Sequence, residues 1–197
     1  MVRAILEGRK SCTRRIVKPQ QLIGMLPDKC KNGAPEKFLK EKKLMFKPYC
    51  DMTDIELINT AYKAPYQPGD ILYVRETWKK APNGYYYYED WQRNDIADVT
   101  KWKPSIRMPK EAARIWLKVT DVRVERLQEI SAESALAEGA DKYIHTNGGL
   151  DENMTITSFI GIWNSTIKKS DIDRYGWDAN PYVWIIEFER CEKPEGV

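Results

Sequence analysis

The chain has 197 residues and a mass of 23.0 kDa, with 42% hydrophobic and 31% charged residues, which excludes a disordered or fibrous protein and fits one decorated domain over residues 1–197. Its net charge of +3 conceals a division, because residues 1–50 carry 13 Lys and Arg against 4 Asp and Glu and the remainder is acidic. Tyr182 to Phe188, the most apolar stretch, is too short for a membrane span, and Arg3, Glu7, Arg9 and Lys10 interrupt the apolar core of any leader, so a cytoplasmic, non-membrane protein is expected.

Val2, Ile5 and Leu6 fall at helical spacing, and Gly8 closes that helix. Thr13 to Val17 follows as a short strand stopped by Pro19, with Ser11, Thr13 and Arg15 on one face and Cys12 and Arg14 on the other. Residues 18–66 are rich in Lys and Pro, with helices near 36–42 and 53–61, and read as an insertion. The turn Pro68-Gly69-Asp70 leads into a strand over Ile71 to Glu76, and Gly84 to Trp91 reads as a second strand whose tyrosines alternate between faces. A second insertion covers about 92–110. The strand 114–125 slips phase between Val119 and Val122, which predicts a bulge near Thr120-Asp121. Ser131 caps a helix through Glu138 that Gly139 ends, and Thr155 is placed as the cap of a longer helix. Tyr182 to Phe188 is apolar on both faces, as in a central strand. The sum is an α+β fold, a small partly closed β-barrel with flanking helices and two insertions.

Four scattered cysteines and a single histidine, His145, leave no zinc pattern and no histidine-based triad, so neither metal nor cofactor is expected and catalysis would fall to Lys, Glu, Asp, Thr or Cys. Arg9, Lys10, Arg14, Arg15 and Lys18 form the densest basic cluster, of a kind that contacts phosphates. Of the seven tryptophans, Trp116, Trp163 and Trp184 lie on core faces, whereas Trp78, Trp102 and Trp177 fall in loops or strand ends where they can stack on a base. Cys12 reads as core and His145 as an exposed loop residue.

The run Ile5-Leu6-Glu7-Gly8-Arg9-Lys10-Ser11-Cys12-Thr13 resembles the opening motif of ASCH domains, relatives of the RNA-binding PUA fold. Pro68-Gly69-Asp70-Ile71-Leu72 resembles the family's next landmark, and a long strand, a helix and a closing strand follow in the family's order. Val74-Arg75-Glu76-Thr77-Trp78 and Trp177-Asp178-Ala179-Asn180-Pro181 resemble a larger subgroup frequent in phages and prophages. The resemblance covers about half the chain and leaves out both insertions. It implies a PUA-like barrel that engages RNA, single-stranded nucleic acid or a modified nucleoside in a basic cleft around Lys10, Thr13 and Arg15. Arg9, Ser11, Arg14, Glu76, Trp78 and Trp177 would line that cleft. Some family members are amidohydrolases that deacetylate N4-acetylcytidine with a Lys, a Thr and a Glu. Carried over by motif, Thr13 would be the nucleophile, Lys10 its base and Glu138 the assisting carboxylate. Glu125, Glu129 and Glu133 are rivals for that last role, and Glu76 is a separate candidate. A metal-independent ribonuclease and a phage-related protein adaptor remain further alternatives.

Overall fold

The computed structural model describes residues 2–18, 53–91 and 101–195. The helix expected near 36–42 and residues 92–100 of the second insertion lie outside them. Helix α1 (Val2–Leu6) ends at Gly8, whose φ of 73° is the left-handed conformation that glycine adopts without strain. Strand β1 (Cys12–Ile16) follows, then helix α2 (Asp54–Ala61), opened by a reciprocal capping box between Thr53 and Glu56. Strand β2 (Ile71–Tyr73) precedes a hairpin of β3 (Trp78–Ala81) and β4 (Gly84–Tyr87). The long strand β5 (Trp116–Arg126), helices α3 (Ala132–Ala137) and α4 (Glu152–Thr166), and strand β6 (Tyr182–Cys191) complete the order.

The main sheet is antiparallel throughout, in the order β1-β6-β5-β2, and curls into a half-barrel. The register of β5 on β6 slips between Val119 and Asp121. That bulge keeps Val119, Val122 and Val124 on one face despite their uneven spacing. Both faces of the sheet are covered. On one, Val17, Val124, Tyr182 and Trp184 pack against Ile58 and Tyr62 at and after α2. On the other, Val183 and Ile185 pack against Leu127, Phe159 and Trp163. Burial on both faces explains the unbroken apolar run of β6, where each fully buried aliphatic side chain contributes about 1.5–3 kcal/mol.

Several expectations need correcting. The strand expected over Ile71 to Glu76 stops at Tyr73, because the Glu76 N–H turns away to Met108 Sδ. The Gly84–Trp91 strand stops at Tyr87, and Tyr88–Trp91 is a helical turn. Its tyrosines do alternate, Tyr85 and Tyr87 toward the Trp116 and Met108 cluster and Tyr86 toward Trp91, yet none is left fully exposed, because rings pack on both sides of the hairpin. Trp78 stands at a strand end, as the first residue of β3, but it is buried. Asp151, not Thr155, caps α4; Thr155 is wholly buried and its hydroxyl donates to the Asp151 carbonyl. The C-terminal part of the first insertion has no core of its own and joins the main one, where Ile58 is completely buried.

Candidate functional site

Lys10 sits in the turn between α1 and β1, where its N–H and that of Arg9 both donate to the Ala4 carbonyl. Glu138 caps the C-terminus of α3, one residue past its end and just before Gly139, whose φ is 90° and where a Cβ would come within 3.2 Å of Ala4 Cβ. This close approach of α1 and α3 sets the two side chains against each other. Lys10 Nζ donates to Glu138 Oε2 at 2.7 Å and to the Glu138 carbonyl at 2.7 Å. Arg14 Nη1 donates to Glu138 Oε1 at 3.2 Å, and its guanidinium lies 5.7 Å from the centre of the Phe159 ring. All three residues are buried, so two cations share one carboxylate. Arg14 Nε and Nη2 are buried as well and have no acceptor among the described residues. Cys12, between Lys10 and Arg14 on this face, has its thiol pushed up to about 11 by burial and then by Glu138. A thiol held neutral in this way is a poor nucleophile.

Thr13 and Arg15 point to the opposite face. Register pairs Arg15 with Trp184 and Thr13 with Ile186, and strand alternation separates both from Arg14. The cleft expected around Lys10, Thr13 and Arg15 is therefore divided by the strand itself. On the Arg15 side a groove of about 320 Å³ is lined by Arg15, Lys18 and Lys63 and by Tyr62, Tyr66 and Trp184. No carboxylate contributes to its lining among the described residues.

Comparison of the chain with family models, with curated proteins and with solved structures returns no match.

The other expected residues are dispersed. Arg9 is exposed and paired with Glu7 at 2.8 Å. Ser11 is exposed, and its backbone joins α3 to β6 by donating to the Ala137 carbonyl and accepting from the Phe188 N–H. Glu76 is buried and gripped by Arg114, which donates through Nε and Nη2 at 2.8 Å each. Arg114 also lies 4.0 Å from the centre of the Tyr87 ring and donates to Asp90. Trp78 is closed off from base stacking by Tyr85 and by Lys103, whose ammonium is 4.9 Å from its ring centre. Trp177 is half-buried and edge-on to Phe159. Of the expected basic and binding residues Arg15 and Lys18 line the groove; their neighbours there, Tyr62, Lys63 and Tyr66, are not among those expected. The interleaving of rings and cation in Tyr62-Lys63-Ala64-Pro65-Tyr66 is the sequence signal that could have found them. Among the described residues no group of three His, Cys, Asp or Glu is placed to hold a metal ion, and no helix is long and apolar enough to cross a membrane.

Proposed function

We propose that this chain binds single-stranded nucleic acid, RNA foremost, or a modified nucleoside, and that the ligand lies in the Arg15 groove of an ASCH/PUA-like barrel. The observation that carries this reading is the convergence of three cations and three aromatic side chains on one 320 Å³ groove. A ring offers a stacking platform for a base, and Arg and Lys beside it neutralise the phosphates. The volume is at the lower end of small-ligand pockets, about 300–1,000 Å³, and suits one nucleotide unit. Arg15 and Lys63 supply charge at the wall, Tyr66 supplies a half-buried ring, and Lys18, 5.4 Å from the Tyr175 ring centre, carries the cationic surface onward.

Fluorescence anisotropy with labelled single-stranded RNA and DNA, over a salt series, tests the reading. Wild type should bind at low salt, and Arg15→Ala/Lys63→Ala should bind at least tenfold more weakly. The slope of log K against log salt should flatten by about 0.7 for each phosphate that is no longer neutralised. Unchanged binding by the double variant would remove the groove from the function.

A second reading, hydrolysis of an N4-acylated cytidine, draws on the 2.7 Å contact between Lys10 and Glu138. In this arrangement Thr13 faces away from that pair, so turnover would need another nucleophile or a rearranged strand end. Incubation of wild type and Lys10→Ala with N4-acetylcytidine, followed by chromatography, decides it: cytidine from wild type alone supports hydrolysis, and none from either rejects it for this substrate.

A further inference from the structure

We propose that Arg14 is the anchor of a buried binding site for a small carboxylate, on the face of β1 opposite the groove and independent of any nucleic-acid function. Three observations converge on it. The first is charge: Lys10 and Arg14 oppose a single carboxylate, so the cluster carries an excess of one positive charge away from solvent. A buried charge of this kind persists where an opposite charge meets it.

The second is hydrogen bonding. Arg14 spends only Nη1, on Glu138, while Nε and Nη2 are buried without an acceptor among the described residues. The third is shape. Nε and Nη2 form one edge of the guanidinium, a planar fork whose two parallel N–H groups match the two oxygens of a carboxylate. The same protein uses this edge elsewhere, because Arg114 holds Glu76 through its Nε and Nη2 at 2.8 Å each. Arg14 thus presents the half of a fork-to-fork pair for which its own neighbourhood offers no second half.

A monocarboxylate would neutralise the excess charge and satisfy both donors, while the Phe159 ring supplies an apolar wall. A cavity of about 380 Å³ lined by Arg9, Leu136, Ala140, Asp141 and Lys142 lies at the end of α3 that carries Glu138. It shares Ala140 with the core cluster that contains Phe159.

The test uses the full chain, with formate as the probe and chloride as the control at matched ionic strength. Formate should raise Tm along a saturating curve, by about 3–6 °C at tenfold over Kd, where ligand binding shifts the folding equilibrium about tenfold. Arg14→Lys, which keeps a charge but loses the fork, should abolish the formate-specific rise, and Arg15→Ala should retain it. Equal melting curves in formate and chloride, or a rise that survives in Arg14→Lys, would overturn the proposal. If Arg14→Lys does not fold, a crystal structure of the wild type grown in formate decides. A carboxylate bonded to Nε and Nη2 supports the site, and water molecules alone on that edge reject it.

Discussion

Glu76 and Glu138 are both buried carboxylates bound by arginine, yet they are opposite designs. Around Glu76 each nitrogen of one guanidinium makes a bond, two to Glu76 and a third to Asp90, and Arg114 remains partly open to water at one side. Around Glu138 two cations share one carboxylate, all three side chains are buried, and one edge of Arg14 has no acceptor among the described residues. The first arrangement closes its hydrogen bonds and braces the β3–β4 hairpin against the strand leading to β5. The second leaves charge and donors over. Burial of an acid is therefore a poor guide to role in this protein, and the fraction of partner donors consumed separates the two regions.

The contrast predicts an order of damage. Glu138→Gln strands two buried cations and should cost about 3–5 kcal/mol, read as a lower midpoint in urea unfolding. Glu76→Gln leaves Arg114 free to turn to Asp90 and water, and should cost about 1–3 kcal/mol. If the two variants prove equal, the distinction drawn from unused donors fails. Lys10→Met tests the sign of the excess charge. It leaves a one-to-one Arg14–Glu138 pair and should destabilise less than Glu138→Gln, whereas a larger loss would show that both cations are required.

The smallest effect concerns Cys12, which reports the field beside Glu138. Its thiol stays protonated in the folded chain up to about 11, whereas the unfolded thiol ionises near its ordinary value of 9.0. Between those values the folded state binds more protons than the unfolded, so stability falls as pH rises. From pH 9 to 10 wild type should lose about 1 kcal/mol more than Cys12→Ala, measured by urea unfolding at each pH. Parallel curves for the two proteins would mean that the thiol does not experience the burial described.

Much of the fold could be read because its signals are local. The phase slip from Val119 to Val122, Ser131 at the start of α3 and Gly139 after its end all act within a few residues of the feature they cause. The failures occur where tertiary packing overrides local pattern. Lys79 and Lys80 disguise β3, and only the underlying Trp116 cluster makes that hairpin sensible. Ile58 ties α2 into the core through contacts more than 60 residues away in Val124, Tyr182 and Trp184.

In the site, strand parity was the legible part. Cys12 and Arg14 share one face of β1 and Thr13 and Arg15 the other, as alternation predicts, whereas Lys10 lies in the preceding turn and its place on the Arg14 side rests on its contact with Glu138. Order and its place before Gly139 single out Glu138, the glutamate that meets Lys10, but the contact itself depends on how closely Gly139 lets α3 approach Ala4. Arg15 meeting the Tyr62–Tyr66 segment likewise depends on where α2 docks.

The bulge in β5 has a consequence of its own. Because Val119 and Asp121 are matched to adjacent residues of β6, Phe188 and Glu187, Thr120 is a supernumerary residue with no counterpart. It acts as a shim: deleting it should preserve the reading frame of everything downstream and flatten the strand. Deleting Val122 instead would transpose inside and outside from that point on. Arg123, whose partners Asp121, Glu125 and Glu187 keep it at the surface, would then be driven toward the space that Val122 and Val124 occupy beneath α2.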